Sequence, residues 1–169
     1  LVVATCTQRL KRRVTMAEAR IVRSSEGDVY ERHWLFKHGS LTGGRFDFMI
    51  GKIDYLTGPP LHFHDEQDDT FYVIEGILAV QVSDDMYDLG PGDFATVPPG
   101  VPHTFDNIRK DQLPVQVCNL MTPGGIDRQF RDMSQISEAA NDPAEVARLR
   151  KKHGVTVIGP TLGVKLGLT

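Results

Sequence analysis

An all-β fold, a jelly-roll barrel followed by two short C-terminal helices, is the architecture this sequence predicts, on three observations. From Ala17 to Met121 short β-rich runs alternate with Gly, Pro and Asp turn signals, the pattern of a sandwich or barrel. Within one of these runs apolar residues alternate with the period of two that a half-buried strand requires. After Pro123 the spacing changes to that of helices.

Taken in order, the first candidate strands are "ARIVRS" and "VYERHWLF". In "RFDFMIGKIDY" the residues Phe46, Phe48 and Ile50 share one face, and the apolar phase then moves to Ile53 and Tyr55. A bulge or corner at Gly51 would produce that shift. The runs "LHFH", "TFYVIEG", "LAVQVSD", "DFATVP", "HTFDN" and "PVQVCNLM" follow. Turn signals divide them at Gly43-Gly44, at Gly58-Pro59-Pro60, at Asp84-Asp85, at Gly90-Pro91-Gly92 and at Pro98-Pro99-Gly100. About ten short antiparallel strands make a jelly roll with a cavity between its sheets. Beyond them, "GIDRQFRDMSQI" places Ile126, Phe130 and Met133 at helical spacing. "DPAEVARLRKKHG" opens with Asp142 as N-cap and Pro143 in the first turn, and closes with Gly154. The ending "GVTVIGPTLGVKLGLT" is Gly-rich and apolar and is expected to lie along the barrel surface.

The chain of 169 residues suits one domain with a sizeable core. A flexible arm is expected over residues 1–16 and a single domain over 17–169, with the barrel at about 30–122 and a helical extension at 123–169. Apolar residues make up 40% and charged residues 24%, and no apolar run reaches the roughly 18 residues of a membrane span. In "LVVATCTQRLKRRVTM" the basic residues Arg9, Lys11, Arg12 and Arg13 follow the apolar part, the reverse of a secretory signal, and Met16 would serve as a natural start. Setting those four charges aside turns the net −3 into about −7, an acidic body with no basic face for nucleic acid. The two cysteines, Cys6 and Cys118, lie in dissimilar contexts, which fits free thiols, a reducing compartment and a cytoplasmic location.

The chemistry concentrates in "PLHFHDEQDDTFYVIEG". On a strand His62 and His64 project to the same face while Phe63 faces the other way. A turn through the acidic run brings Asp69 back beside them, with Phe71 and Val73 on its side of the next strand. His103 follows a proline-restricted turn, the stiff backbone that a placed ligand needs. Three neutral imidazoles and one carboxylate suit a divalent first-row metal and leave positions open for water, O2 or substrate. Asp65, Glu66 and Asp68 read as a solvated turn, Glu66 being an alternative carboxylate. Glu75 reads as a surface residue, and His33, His38 and His153 have no partners at ligand spacing.

These spacings resemble the two motifs of the cupin superfamily. In the first motif H-x-H precedes a glutamate and then a glycine, matched here by His62, His64, Asp69 and Gly76. The second is matched by Gly92, Pro98, Gly100, His103 and Asn107. The chain departs from the pattern at Asp69, which is one methylene shorter than the usual glutamate, and at Gly58, which stands closer to His62 than the motif's leading glycine does. "GGRF", "TPGGIDRQFRDM" and "HGVTVIGPTLG" extend the likeness to single-domain quercetin-dioxygenase-like cupins.

The resemblance implies a metal site of His62, His64, Asp69 and His103 holding one iron, nickel, manganese, copper, cobalt or zinc ion, and a homodimer. It implies a dioxygenase of a flavonol-like or other small aromatic or enol substrate, with Asp69 as ligand or as the base that accepts the substrate proton. Phe71 and Phe105 stand two positions beyond proposed ligands; with Phe46, Phe48, Met121 and, on the first helix, Phe130, they are expected to line the substrate pocket. Two other readings compete: a redox-neutral isomerase, cyclase or decarboxylase, and a non-catalytic small-molecule-binding module. A DNA-binding regulator fits poorly, because no helix-turn-helix pattern accompanies the strands.

Overall fold

A computed structural model describes residues 19–30, 34–136 and 142–168. The arm expected over 1–16, together with Cys6 and His33, lies outside the described residues. Among the described residues, eleven strands form two antiparallel sheets. The larger has the order β1-β2-β3-β10-β5-β8 and the smaller β11-β4-β9-β6-β7. The strands are β1 (Asp28–Tyr30), β2 (Trp34–Lys37), β3 (Asp47–Ile53), β4 (His62–His64), β5 (Asp68–Glu75) and β6 (Leu78–Val82), then β7 (Asp85–Leu89), β8 (Phe94–Val97), β9 (His103–Asp106), β10 (Val115–Thr122) and β11 (Val155–Val157).

The all-β jelly-roll barrel is thereby corrected. The two sheets keep free edges at β1 and β8 and at β11 and β7 and do not close into a barrel. Helices α1 (Asp127–Ser134), α2 (Pro143–Lys152) and α3 (Leu162–Lys165) make the fold mixed β/α. α1 and α2 fall where the helical spacing places them, and Asp142 caps α2 by accepting from the Ala144 N–H at 2.9 Å. α3 is too short to leave a periodic trace, and "ARIVRS" forms no strand. β7 starts at Asp85, inside a predicted turn, and β11 lies in the stretch expected to drape the surface.

The expected bulge at Gly51 does not form. β3 pairs with β10 without interruption, and its buried face is Asp47, Met49, Gly51 and Ile53. Phe48 and Ile50 take the opposite face. Gly51 instead makes room for the Trp34 ring, because a Cβ there would stand 2.4 Å from a ring carbon. A fully buried Asp47 is tolerable on the inward face because its carboxylate accepts three backbone N–H bonds. They come from Gly39, from Gly125 at 2.5 Å and from Ile126 at 2.8 Å. This one side chain ties the start of α1 to the sheet.

Two apolar clusters hold the sheets together. One joins Ile53, Phe71, Val73, Val97, Val115 and Val117 of the larger sheet to Leu78, Val80 and Phe105 of the smaller. The other gathers Phe36, Met49 and Met121 with Ile126 ahead of α1 and Val155 on β11, and Phe130 packs on it 4.9 Å from the Phe36 ring. The polar site lies beside the first cluster, since Phe71 touches Phe105 at 4.8 Å and His103 at 6.5 Å between ring centres.

Candidate metal centre

His62 and His64 lie on β4 and point inward together, at 6% and 5% exposure. Antiparallel pairing sets His62 directly opposite His103 of β9, so two ligand candidates distant in sequence become cross-strand neighbours. The ring centres lie 4.6 Å apart for His62 and His103, 5.1 Å for His62 and His64, and 5.4 Å for His64 and His103. Asp69 comes from β5 in the other sheet. Its Oδ2 stands 3.1 Å from His103 Nε2 and 3.6 Å from His64 Nε2, so the cluster bridges the two sheets. One ligand atom from each of the four residues lies within 4.8 Å of the others.

The local chain explains this convergence. Pro60 and Val101 each present a carbonyl to an imidazole two residues later, at 2.8 Å for His62 Nδ1 and 2.9 Å for His103 Nδ1. Each carbonyl takes the Nδ1 proton and turns Nε2 toward the cluster. Gly58 lets the incoming loop pass close to β9, because a Cβ there would stand 1.9 Å from the Phe105 carbonyl oxygen. Its N–H donates to Asp106 at 2.9 Å.

Asp69 is aimed by a residue that the sequence reading missed. Asn119 on β10 donates from Nδ2 to Asp69 Oδ1 at 2.5 Å and to the Thr70 carbonyl at 3.1 Å. Oδ2 is thereby left facing the imidazoles. Asn119 gives no sequence signal because it sits in an otherwise apolar strand, 50 residues from its partner.

Burial, reinforced by the neighbouring His103 and His64, pushes the His62 pKa down to about 3, so this ring is neutral at pH 7. Burial alone would raise Asp69, but the hydrogen bond with His103 and the nearby His64 ring outweigh it and hold the carboxyl well below the usual carboxylate range. His103 is opposed by burial and nevertheless raised by its bond to Asp69. Asp69 is therefore ionised.

The donor set fits a metal ion on two grounds. Both ring nitrogens of the buried His64 lack a hydrogen-bond partner, an arrangement that costs free energy unless a ligand satisfies it. Donors sharing an ion at about 2.1 Å stand roughly 3.0 Å apart when adjacent. The 3.1 and 3.6 Å separations around Asp69 Oδ2 come close to that edge. The missing methylene therefore does not keep this carboxylate out of reach, because β5 and Asn119 carry it inward.

A cavity of about 260 Å³ opens on the cluster, lined in part by His62, His64, Asp69, Asn119 and Phe105. Of the other aromatic and sulfur candidates, Met121 and Phe130 line it. Phe71 is buried in the core behind His103, and Phe46 and Phe48 are not in the lining. Gln129 and Met133 of α1, Arg150 of α2 and Trp34 complete the cover, and sequence reasoning had not placed them there. The remaining polar candidates stay outside. Glu66 and Glu75 are exposed, His38 bonds Ser40 at 2.6 Å, and His153 bonds Asp132 at 2.8 Å beyond the end of α2. Among the described residues no helix is long and apolar enough to cross a membrane.

Two facing sheets thus carry a buried three-histidine, one-aspartate cluster that opens to a cavity, a potential metal centre. Residues 53–120 match the family model for the cupin domain. The chain is similar to quercetin 2,3-dioxygenase of Bacillus subtilis (strain 168), at 29% identity over 89 residues, which is 53% of this chain and 26% of that protein. It thus spans about a quarter of that relative's length. Among solved structures it is similar to KdgF from Halomonas sp., at 19% identity and a TM-score of 0.54, covering 66% of this chain and 99% of that one. A cupin protein from Bacteroides fragilis is similar at 17% identity and a TM-score of 0.49, covering 59% and 84%.

Proposed function

We propose that the protein is a metal-dependent dioxygenase acting on a flavonol-like or other small aromatic or enol substrate. The observation that carries the reading is a buried cluster of His62, His64, Asp69 and His103 that opens directly onto a largely apolar-walled cavity. The similarity to quercetin 2,3-dioxygenase spans 89 residues and supports the same class.

The four residues would hold one divalent transition metal, which supplies Lewis acidity toward the substrate's deprotonated oxygen and a meeting point for O2. His62, neutral at pH 7, offers Nε2 without first losing a proton. Asp69 is ionised and held by Asn119, which suits a ligand; a carboxylate with so low a pKa is a weak base for a substrate proton. Phe105, Met121 and Phe130 supply an apolar wall that excludes water and holds a flat ring.

The test is oxygen consumption by iron-, nickel- and manganese-loaded protein with a panel of flavonols and smaller enols, beside a His62→Ala variant. Uptake of O2 matched to product and lost in the variant is the expected result. Product formed equally under strict anaerobiosis, or a fully active variant, would overturn the reading.

A further inference from the structure

The inward stripe of α1 is interrupted by one amide. Ile126, Phe130 and Met133 follow the spacing that sets side chains on one helix face, and Gln129 shares that face, one turn after Ile126 and one turn before Met133. It is 6% exposed, whereas Arg128 beside it is exposed. The position calls for an apolar side chain, and natural chains break such a local pattern chiefly at functional sites. Among the described residues, His64, Asp106, Arg109 and Gln129 bury a side-chain nitrogen or oxygen that has no hydrogen-bond partner. Of these, His64 and Gln129 line the cavity. A metal ion would satisfy His64. Gln129 Oε1 is a neutral acceptor and needs a donor, because burying it without one is costly. The other amide on the wall, Asn119, already donates to Asp69 and to the Thr70 carbonyl.

The helix that carries Gln129 is held at both ends. Asp47 accepts the Gly125 and Ile126 N–H groups ahead of α1, and Asp132 pairs with Lys152 and bonds His153, each at 2.8 Å. A recognition group on so supported an element keeps its place. At about 260 Å³ the cavity lies just under the usual range for ligand pockets, which begins near 300 Å³, and so suits a small molecule.

We infer that Gln129 sets substrate specificity: its Oε1 accepts a hydrogen bond from a hydroxyl or N–H group of the substrate, so that the cavity selects a small enol or phenol carrying a donor beyond the oxygens that meet the histidine cluster. The inference rests on the proposed function for the location of the reacting end and adds a group that the substrate must carry. An analogue whose extra donor is capped or missing leaves Oε1 buried and unpaired in the complex, and binds less tightly for that reason.

The test uses two pairs of chelators that differ by one donor: kojic acid against allomaltol, which has a methyl group in place of the hydroxymethyl, and pyrogallol against the monomethyl ether that keeps its catechol oxygens. Each is titrated calorimetrically, without oxygen, into the full chain loaded with redox-inert Zn²⁺. In at least one pair the hydroxylated member is expected to bind at least fivefold tighter, and Gln129→Met is expected to bring that ratio within about twofold. The same substitution removes an unpaired buried polar atom, so the Tm of the metal-free variant should equal or exceed that of the wild type. Wild-type ratios near one in both pairs overturn the inference, as does a preference that survives in Gln129→Met. A clearly lowered Tm, or a variant that does not fold, overturns it as well, since the amide would then serve the fold. Zn²⁺ supports no oxygenation, so absence of O2 consumption sinks the dioxygenase reading and leaves this result standing. Protein that takes up no Zn²⁺ refutes the metal reading separately, and the same pairs titrated into metal-free protein then decide the inference by the same ratios.

Discussion

Replacing Asn119 by alanine isolates the device that lets an aspartate stand where a glutamate is usual. The side chain is 4% exposed and makes two bonds, to Asp69 Oδ1 at 2.5 Å and to the Thr70 carbonyl at 3.1 Å. A hydrogen bond to a charged group contributes about 1.5–3 kcal/mol and a neutral one about 1 kcal/mol, and Oδ1 would stay buried without a donor. Asn119→Ala should therefore destabilise the metal-free protein by about 3 kcal/mol. Freed from its support, the carboxylate can also rotate away from the imidazoles, and outer support of this kind changes metal affinity by about 10–100-fold. Urea unfolding measures the first effect, and competition for Zn²⁺ against a chromophoric chelator measures the second. A loss below about 0.5 kcal/mol together with unchanged Zn²⁺ affinity would show that Asp69 is aimed by something else.

Three further outcomes follow from the same structure. Asp47→Ala strands three backbone N–H groups, so stability should drop by about 3 kcal/mol or more and the Gly125 and Ile126 amides should exchange with solvent faster, as measured by hydrogen–deuterium exchange. Gly58→Ala forces a Cβ to 1.9 Å from the Phe105 carbonyl and should cost about 2 kcal/mol or more, read as a lowered Tm. His62 has its pKa lowered from 6.5 to about 3, so below pH 6.5 the unfolded chain takes up a proton that the folded chain refuses. Its contribution to stability is thus lost as pH falls, by about 2 kcal/mol between pH 6.5 and 5. Urea unfolding of metal-free protein should show this slope, and His62→Asn should flatten it.

The site was more legible in the sequence than the architecture around it. The ligand candidates could be read because H-x-H on a strand fixes two directions at once, and the proline-restricted turn before His103 marks a held backbone. The α1 stripe of Ile126, Phe130 and Met133 also faces the cavity as its spacing suggests. The phase of β3 misled because Phe46, Phe48 and Ile50 look like a core face, whereas the buried face is the one bearing Asp47. That face also carries the core residues Met49 and Ile53, and Asp47 is tolerated on it through the N–H bonds from Gly39, Gly125 and Ile126, which local alternation cannot reveal. Sheet closure was likewise hidden. The strand-rich pattern is shared by closed and open arrangements, and the free edges follow from pairings such as β11 with β4 that join distant segments. Asn119 stayed hidden for the same reason, since its partner comes from another strand.

The central claim is that His62, His64, Asp69 and His103 together hold one divalent metal ion. Elemental analysis of protein purified without added metal, then saturated with Co²⁺ and dialysed, tests it most directly. The account predicts about one equivalent of metal per chain, with a visible Co²⁺ spectrum, and near-complete loss of both in His103→Ala with the fold retained. A chain that takes up no Co²⁺, or a His103→Ala variant that keeps its full equivalent, would contradict it.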